Sequence, residues 1–551
     1  MDGAVKRFDC RLDCRLDCDV LVVGGGINGA AIARDAAGRG LRVVLCEKDD
    51  LAGHTSSASS KLIHGGLRYL EHYEFGLVRK ALVERETLLR CAPHIMRPLR
   101  FVMPHEEGNG WGNGRGRGPG ARPAWLIRAG LFLYDRLARR EFLPASGALD
   151  LRGHPAGAPL QPRFTRGFVY SDGWVDDARL VVLNALDARE RGATILTHTR
   201  CAPPQRHADG WSAALDGNGQ RLHVTARCLV NAAGPWAARF LDGATDTSCT
   251  RTLRLIKGSH IVVPRLFEHS HAYIFQHPDG RIVFALPYEG AFTLIGTTDI
   301  DYHGDLDNVA ISTGETAYLC QLANRYFVQR ITPADVVWSY AGVRPLVEDA
   351  AAHASAATRD YKLELDGAVG SGAPLLSVFG GKITTSRKLA EDAVDLLGAA
   401  LGHRAPAWTA GACLPGGDLF GAAPDKRGVL EFGSWMARQA ARYPWLPPHL
   451  LARYGRAYGT RIDTLLAASG KLADLGREVV PGLYEAEIAY LMRHEWACSA
   501  ADILWRRTKL GLHVAPGSAA LLDDWIAARQ PEPVPQAGAP DELLLFRQTT
   551  T

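Results

Sequence analysis

The chain has 551 residues, of which 47% are hydrophobic and 22% charged, and a net charge of +4. This length and composition are typical of a globular protein with more than one domain, and the charge is too small to predict nucleic-acid binding. The 11 cysteines form no C-x-x-C pair, which suits reduced thiols better than disulfides. No window has the roughly 18 consecutive apolar residues of a membrane-spanning helix, and the N-terminus lacks a signal peptide's apolar core. We therefore expect a cytoplasmic protein, or one held on the cytoplasmic side of a membrane.

A short tandem repeat occupies residues 9–18, and its cysteines Cys10, Cys14 and Cys18 would share one face of a helix. Their spacing matches no zinc pattern, and no histidine or fourth cysteine lies nearby. We therefore interpret residues 1–18 as an N-terminal extension without a function, and we predict no metal site.

The first predicted strand runs into three closely spaced glycines, Gly24, Gly26 and Gly29. Gly24 permits a sharp turn, Gly26 lets a pyrophosphate approach the backbone, and Gly29 lets the next helix pack on the strand. The N-terminus of that helix would face the phosphates. A second apolar strand ends at Glu47, where a carboxylate would bind a ribose 2′-OH. Because the strand, turn, helix and acid occur in the expected order and spacing, we predict a dinucleotide-binding unit rather than an ordinary glycine turn.

A polar stretch with five hydroxyl side chains follows at residues 55–60, and Lys61, His64 and Arg68 come next. A flexible loop would have this composition. However, a His-Gly-Gly turn and a predicted helix over residues 75–90 follow at once. We therefore favour a loop held against the dinucleotide that leads to a substrate-facing Arg68.

Residues 108–121 are rich in glycine and arginine, and such a segment cannot bury enough apolar surface to order itself, so we predict a solvent loop. The aromatic and basic stretch at 122–143 predicts a helix. It would lie either on an anionic bilayer or with one face in the core, and both interpretations stay open.

The second half of the chain predicts further elements of the site. Residues 227–236 form another strand that breaks at small residues, as in a second backbone approach to the cofactor. Short β-rich runs over 252–347 predict an antiparallel sheet in a substrate domain, with Lys257, His260 and Arg344 among its apolar residues. At 375–385 a strand, a Gly-Gly turn and a helix N-terminus recur, and Lys382 there would favour negative charge on a redox ring. Beyond residue 406 the pattern is helical, and the tail is proline-rich.

Taken together, these motifs resemble the FAD-dependent glycerol-3-phosphate dehydrogenases of the aerobic, membrane-associated type. The resemblance extends from about residue 19 to about residue 517. The motifs that carry it lie at residues 24–29, 55–69, 170–177, 256–263, 296–299, 342–345 and 379–382.

The resemblance implies an α/β protein with a glutathione-reductase-like FAD-binding domain, an antiparallel β-rich substrate cap (α+β) and a C-terminal all-α domain. The predicted divisions are an N-terminal extension at 1–18; a discontinuous FAD-binding domain at 19–75, 165–245 and 372–400; a cap at 76–164 and 246–371, with a candidate membrane-contacting helix at 122–143; a C-terminal helical domain at 405–529; and a disordered tail at 530–551.

The resemblance also implies an activity, which is oxidation of sn-glycerol 3-phosphate to dihydroxyacetone phosphate with FAD as cofactor. The electrons would pass to a membrane quinone. We further expect peripheral contact with an anionic bilayer at the cytoplasmic face of the inner membrane, and a homodimer. A glycerol-3-phosphate oxidase that uses O₂ and an amine or amino-acid oxidase of the same superfamily are the alternatives. An NAD-binding regulatory protein would not need the second Gly-Gly turn.

The reaction requires hydride transfer from C2 of the substrate to flavin N5 while a base takes the hydroxyl proton. His64 and His260 are the candidate bases, and the choice between them is open. Arg344 could orient the alkoxide. Guanidinium and ammonium groups would bind the phosphate, although any one of them could form a structural ion pair. The predicted substrate ligands are Arg68, Tyr69, Arg344, Arg359 and Lys382. The predicted FAD ligands are Gly24, Gly26, Asn28, Gly29, Glu47, Thr55, Ser56, Ser59, Ser60, Gly234, Gly381, Lys382, Thr384 and Thr385.

Overall fold

The computed structural model describes residues 15–106, 123–217, 219–244, 253–276, 281–347, 360–367 and 372–529. Several predictions fall outside these ranges, namely the glycine- and arginine-rich loop at 108–121, the phosphate ligand Arg359, the tail at 530–551, and Cys10 and Cys14. Arg68 belongs to the described short 3₁₀ helix Leu67–His72, but its side chain lies outside the described part of the structure.

Strands and helices alternate along the described chain. The strands are β1 (Arg15–Val23), β2 (Val43–Cys46), β3 (Leu62–Ile63), β4 (Met96–His105), β5 (Gly147–Asp150), β6 (Arg166–Val175), β7 (Thr194–Leu196), β8 (Thr199–Cys201), β9 (Gln205–Arg206), β10 (Trp211–Gly217), β11 (Gln220–Asn231), β12 (Leu253–Pro264), β13 (Ala272–Gln276), β14 (Ile282–Tyr288), β15 (Phe292–Gly296), β16 (Ile300–Asp301), β17 (Trp338–Val347), β18 (Lys362–Asp366), β19 (Leu375–Phe379), β20 (Glu478–Val480) and β21 (Leu483–Tyr484). The α-helices are α1 (Ile27–Gly38), α2 (Phe75–Cys91), α3 (Ala124–Arg136), α4 (Asp177–Glu190), α5 (Ala237–Ala244), α6 (Thr313–Tyr326), α7 (Ser386–Leu401), α8 (Arg427–Leu430), α9 (Phe432–Arg442), α10 (Pro448–Tyr458), α11 (Ile462–Leu465), α12 (Glu485–Glu495) and α13 (Ser518–Ala527).

The first sheet has the strand order β18-β19-β11-β1-β2-β7, with β8, β9 and β10 on a branch beside β11. Strand β1 pairs in parallel with β11 on one side and with β2 on the other. Val20, Leu21 and Val22 are fully buried, as expected for a parallel strand covered on both faces. Helix α1 packs against α4 and α7. The turn between β1 and α1 therefore lies at the carboxyl edge of the sheet, where cofactors bind in such folds.

The second sheet has the order β16-β12-β15-β14-β13-β4-β6-β3, with β17 beside β12 and β5 beside β6. Most of its pairs are antiparallel, and this mixed arrangement confirms the predicted fold class of an α/β sheet with a β-rich cap. Strands β3 and β6 were expected in the FAD-binding domain but pair in the second sheet. The reason is the long register of β6 with β4, from Met96↔Val175 to His105↔Arg166.

The N-terminal strand is longer than the sequence predicts. Residues 15–18, assigned to the N-terminal extension, continue the parallel ladder with β11, beginning at Arg15↔His223. Cys18 is 3% exposed, and its thiol donates a hydrogen bond to the Thr225 carbonyl at 3.6 Å. Its side chain therefore packs in the sheet and not on a helix face.

Helix α3 ends at Arg136, earlier than the predicted helix at 122–143. One face of the helix packs in the core through Leu131 and Tyr134, as one interpretation expects. Trp125 and Phe132 are largely exposed, so the interpretation of a helix lying on a bilayer stays open for the other face. No helix among the described residues is both long and apolar enough to cross a membrane.

The C-terminal domain has its own apolar core beneath α10 and α12, which includes Leu450, Tyr454, Ile488 and Leu491. A π-helix at Asp502–Arg507 contacts α4 and α12. The domain is predominantly helical, as predicted, and β20 and β21 form a small hairpin within it. Buried ion pairs tie it to the rest of the chain, among them Arg507–Asp50 at 2.7 Å.

Candidate active site

A cleft of about 610 Å³ is lined by residues from both large sheets. It collects most of the residues predicted from the sequence. Those from the cofactor set are Gly24, Gly26, Asn28, Glu47, Thr55, Ser56, Ser59, Ser60, Gly234, Gly381, Lys382 and Thr384, and those from the catalytic and substrate sets are His64, Tyr69, His260, Arg344 and Lys382. Gly29 and Thr385 do not line the cleft and lie behind its wall.

The glycine turn has the geometry that the sequence predicts. Gly24 has a φ of +114°, a conformation that other residues rarely adopt. A Cβ atom at Gly29 would lie only 1.9 Å from the carbonyl oxygen of Gly24, so the helix start packs directly on the turn. The backbone N–H of Ile27 donates to the hydroxyl of Ser56 at 2.9 Å, which joins the start of α1 to the polar loop.

Glu47 is only 8% exposed and lies where β2 ends. Its carboxylate accepts hydrogen bonds from the backbone N–H of Gly25 at 2.7 Å and of Asp49 at 2.9 Å. Burial raises the pKa of Glu47, and these two donors oppose that rise. The carboxylate therefore fixes the glycine turn while it faces the cleft.

The hydroxyl-rich loop is pinned at several points, so the flexible-loop interpretation does not hold. The Thr55 hydroxyl donates to the carbonyl of Val343 at 2.7 Å, which ties the loop to β17. The Ser59 hydroxyl donates to the carboxylate of Asp177 at 2.7 Å, and Lys61 forms an ion pair with the same carboxylate. The loop is thus tied to β17 and to the start of α4 along one wall of the cleft.

The side chain of Arg344 projects from β17 into the cleft, and 39% of its surface is exposed to solvent. Its guanidinium donates to the carboxylate of Asp299 at 3.0 Å and to the carbonyl of Thr298 at 3.1 Å. A Cβ atom at Gly258 would lie 2.5 Å from that guanidinium, so the bare backbone of β12 makes room for it. The remaining guanidinium face is available to an anion.

Lys382 follows the second Gly-Gly turn, and its Nζ atom lies 3.7 Å from the centroid of the Tyr69 ring. An ammonium over an aromatic face is stabilised by the ring quadrupole. The two residues are far apart in the sequence and meet in the cleft. The described lining of the cleft also includes Lys48, Arg200 and Arg239. Arg344 and Lys382 are the two cations of the predicted substrate set that line it, and either could hold a phosphate.

His260 is 2% exposed and tightly constrained. Its Nε2 atom shares a hydrogen bond with the Ser60 hydroxyl at 2.8 Å, and its ring stacks on Tyr340 with centroids 4.8 Å apart. Nδ1 is buried without a partner among the described residues. Burial, then Lys61 and Arg344, hold the pKa of His260 well below its usual value, so the imidazole is neutral.

His64 lies on the turn before Gly65, and its backbone N–H donates to the Thr384 hydroxyl at 3.3 Å. Burial, followed by the charges of Lys382 and Arg85, lowers the pKa of His64 to about 4. No hydrogen bond holds its imidazole within the part of the chain that the structure describes. A neutral, uncommitted imidazole in the cleft can accept a proton.

Two acids beside this site were absent from the predicted site residues, although one of them, Asp299, lies in the motif at 296–299. Asp299 pairs with Arg344. Glu315, which is 3% exposed, accepts hydrogen bonds from the hydroxyls of Ser259 at 2.7 Å and Thr298 at 2.8 Å. Burial alone would raise the pKa of Glu315, but Lys257 and the other donors hold it at about 2. The capping-box spacing Ser312 to Glu315 was the available sequence signal, although it indicates a helix start and not a site.

The cleft fits a dinucleotide such as FAD. A Cβ atom at Gly26 would lie 3.1 Å from the Ser56 hydroxyl, so side chains there would fill the cradle beside α1. Asn28 donates to the Gly380 carbonyl at 3.2 Å, whereas its Oδ1 atom is buried without a partner among the described residues and faces the cleft. Gly24, Glu47 and Gly381 thus line one continuous space from the ribose end to the second Gly-Gly turn.

Comparison with known proteins gives matches over nearly the whole chain. Residues 19–387 match the family described as FAD dependent oxidoreductase, and residues 407–530 match the C-terminal domain of alpha-glycerophosphate oxidase. A protein of Pseudomonas aeruginosa named glycerol-3-phosphate dehydrogenase is 53% identical over 93% of this chain and 96% of its own length.

Two further relatives bear on the substrate and the cofactor. A protein of Brucella abortus named D-erythritol 1-phosphate dehydrogenase is 48% identical, over 92% of this chain and 97% of its own. Among solved structures, a glycerol-3-phosphate dehydrogenase from Bacillus halodurans complexed with FAD superposes with a TM-score of 0.69 at 26% identity, over 90% of this chain and 86% of that one.

Proposed function

The chain belongs to the FAD-dependent glycerol-3-phosphate dehydrogenases, which confirms the resemblance seen in the sequence, and we propose that it oxidises sn-glycerol 3-phosphate to dihydroxyacetone phosphate and passes the electrons to a membrane quinone. One observation carries the proposal: Arg344 and Lys382 line the same cleft as the glycine turn and Glu47. A cofactor cradle and a pair of cations in one space suit a small phosphorylated alcohol.

The chain's own residues would hold the cofactor along the cleft. Glu47 would bind the adenosine ribose, and the N-terminus of α1 with Gly26 and Ser56 would face the pyrophosphate. Gly381 and Thr384 would lie at the redox end, where the ammonium of Lys382 favours negative charge. The chemistry that FAD supplies when bound is acceptance of a hydride at N5.

The substrate phosphate would be bound by cations. A guanidinium binds phosphate through two parallel hydrogen bonds, and Arg344 has a free face for this, whereas Lys382 would act as a point charge. Arg68, which lies in the motif at 55–69, and Arg359, which lies outside the motifs, complete the proposed set. Tyr69, held under Lys382, would close the end of the site.

We assign the proton acceptor to His64. The Nε2 atom of His260 is occupied by Ser60, so His260 would instead position that hydroxyl against the cofactor. Part of the lowering of the His64 pKa comes from Lys382. A dianionic phosphate bound at Lys382 would offset that charge and raise the pKa of His64. His64 would therefore become a better base when substrate is present.

The membrane contact is proposed for α3. Its outward face presents Trp125 at 67%, Leu126 at 44% and Phe132 at 53% exposure. Exposed arginines of α3, Arg128 and Arg136, would meet anionic headgroups. We propose peripheral association with the cytoplasmic face of the inner membrane, where a quinone acceptor is dissolved.

We also expect a homodimer, which sedimentation analysis of the purified enzyme would test.

D-erythritol 1-phosphate is a second candidate substrate. The relative named for that compound is 48% identical, close to the 53% of the relative named for glycerol 3-phosphate. Both molecules offer a phosphate and a secondary alcohol to the same cations. Overall identity therefore does not separate the two substrates, and a direct comparison is needed.

Anaerobic titration of the purified protein, followed in the visible spectrum, tests the proposal. We expect one equivalent of glycerol 3-phosphate to bleach the bound flavin fully, and glycerol without phosphate to leave it coloured. D-erythritol 1-phosphate is the comparison substrate. Under air, a high peroxide yield would favour an O₂-using oxidase, whereas rapid reoxidation by a soluble quinone supports a dehydrogenase. A colourless protein, or a coloured one that ignores both phosphates, would refute the proposal.

A further inference from the structure

Helix α3 has two faces with different roles. The outward face carries the exposed apolar side chains proposed to contact a bilayer. The inward face is buried through Leu131 and Tyr134, in one cluster with Leu67 and Leu70 of the short helix that follows the His64 turn. The same helix therefore contacts both the outside of the molecule and the substrate end of the cleft.

The Tyr134 hydroxyl is bonded on both sides. It accepts a hydrogen bond from the backbone N–H of Gly65 at 2.8 Å and donates to the carboxylate of Asp172 at 2.8 Å. Asp172 is 2% exposed and forms an ion pair with the fully buried Arg85 at 2.6 Å. A buried and fully bonded network of this kind is rigid, because each lost bond would leave a polar group without solvent.

The turn held by this network carries the active residues. Gly65 lies directly after His64, and Gly66, with a φ of +78°, begins the short helix that presents Tyr69 to Lys382. A Cβ atom at Gly65 would lie 2.7 Å from the Tyr134 hydroxyl and 2.6 Å from Leu82. The turn therefore packs directly on α3 and α2, with no side chain in between.

We propose that Tyr134 is a positioning residue for the His64–Gly66 turn, and that α3 thereby links bilayer contact to the rate of flavin reduction. The bilayer part rests on the proposed membrane contact. Bilayer contact on the outward face restricts the motion of α3. The hydrogen bond between the Tyr134 hydroxyl and the Gly65 N–H then restricts the motion of the turn as well. His64 is then held more closely in the geometry needed to take the substrate proton.

The first test is Tyr134→Phe, which keeps the ring and removes the hydroxyl. The matched control is Tyr170→Phe, a neighbouring buried tyrosine whose ring centroid lies 6.2 Å from that of Tyr134. We expect Tyr134→Phe to keep its FAD. The variant loses both hydrogen bonds of the hydroxyl, and loss of the one from Gly65, which holds the turn, should lower the limiting rate of anaerobic flavin reduction by about tenfold. The dissociation constant of glycerol 3-phosphate should change by less than about threefold, because the phosphate cations are untouched. The flavin of Tyr170→Phe should be reduced at the wild-type rate.

The second test adds vesicles of mixed phosphatidylglycerol and phosphatidylcholine, with cosedimentation to measure binding. Wild-type reduction should quicken on the vesicles, whereas Tyr134→Phe should bind them equally and show no change in rate. Hydrogen exchange at the Gly65 amide of the wild-type enzyme should slow on vesicle binding, a readout that needs neither a variant nor substrate.

Equal rates for Tyr134→Phe and wild type would overturn the positioning role, and so would loss of FAD in Tyr134→Phe but not in Tyr170→Phe. Equal vesicle responses of the two proteins, or unchanged exchange at Gly65 on bound vesicles, would overturn the link. Failure to sediment with vesicles would refute the proposed membrane contact and the link together. Failure of glycerol 3-phosphate to reduce the flavin would refute the proposed function, whereas the exchange measurement would still report on the link.

Discussion

The Nζ atom of Lys382 lies 3.7 Å above the ring of Tyr69, and both residues line the same cleft as His64. Lys382 comes from the turn after β19, and Tyr69 comes from the short 3₁₀ helix Leu67–His72 that follows β3. The ammonium also acts on His64, because burial and then Lys382 lower the pKa of that imidazole to about 4. Under the proposed roles of Lys382 and His64, the charge of Lys382 would affect both phosphate binding and proton transfer.

This relationship gives a pH-dependent prediction for Lys382→Met. Removal of the positive charge should raise the pKa of His64 toward its usual value of about 6.5. Because a base must be neutral, the acidic limb of the flavin-reduction rate should move to higher pH. Tyr69→Phe, which retains an aromatic ring under the ammonium, is the control and should keep the wild-type limb. Stopped-flow reduction across the pH range measures both. An unshifted limb in Lys382→Met would exclude His64 as the base.

Arg344→Ala should weaken substrate binding without loss of cofactor. A lost charge-assisted contact of about 1.5–3 kcal/mol corresponds to an increase of about 10- to 100-fold in the dissociation constant of glycerol 3-phosphate. The matched control is Arg254→Ala, which removes another partly exposed arginine paired with an aspartate of the same sheet, Asp301. The Arg254→Ala protein should bind glycerol 3-phosphate with the wild-type dissociation constant. Anaerobic titration gives both constants, and a colourless Arg344→Ala protein would place this arginine in cofactor binding instead.

The cofactor half of the site could be predicted from the sequence because each signal is local. The glycine turn, the acid at the end of β2 and the second Gly-Gly turn each have one geometric use beside a parallel strand. The structure brings Gly24, Glu47 and Gly381 to one cleft accordingly. Lys382 and Arg344 could be selected because a cation next to a glycine turn or inside an apolar strand needs an anion nearby.

The parts that could not be predicted depend on pairing between distant segments. Nothing local indicates that β6 joins the second sheet, or that Arg15 already pairs with His223. The same holds for the Asp299 carboxylate beside Arg344 and the Tyr134 hydroxyl beneath Gly65. The proposed choice of His64 over His260 also depends on the structure, because Ser60, which contacts the His260 ring, is 200 residues away in the sequence.

Gly29→Ala should disrupt the cofactor turn by steric overlap. The new Cβ atom would lie 1.9 Å from the Gly24 carbonyl oxygen, a backbone atom that cannot move aside without opening the turn. We expect a cost of about 1–3 kcal/mol and a marked loss of bound FAD. Gly76→Ala in α2 is the matched control, because nothing lies within 4 Å of its Cβ position. The ratio of visible to ultraviolet absorbance and the melting temperature measure the two effects. Full FAD content in Gly29→Ala at the wild-type melting temperature would contradict this account of the turn.

The last prediction concerns the ion pair that joins the C-terminal domain to the cofactor domain. Arg507 donates to both carboxylate oxygens of Asp50, at 2.7 and 2.8 Å, and both side chains are almost fully buried. Burial alone would raise the pKa of Asp50, but Arg507 and Arg506 outweigh it and hold the pKa below its usual value. A lowered folded-state pKa stabilises the fold above the unfolded-state pKa of about 3.9, and that stabilisation is lost as the pH falls below it.

Arg507→Met should therefore destabilise the protein by about 3–5 kcal/mol near neutral pH, because it leaves the Asp50 charge buried with less compensation. Arg442→Met removes an exposed pair with Asp463 in the same domain and should cost less than about 1 kcal/mol. Melting temperatures measured from pH 7 down to pH 3 should converge for wild type and Arg507→Met as Asp50 becomes protonated. If the two curves stay parallel, or if Arg507→Met melts together with Arg442→Met at pH 7, the Arg507–Asp50 pair does not hold the domains together.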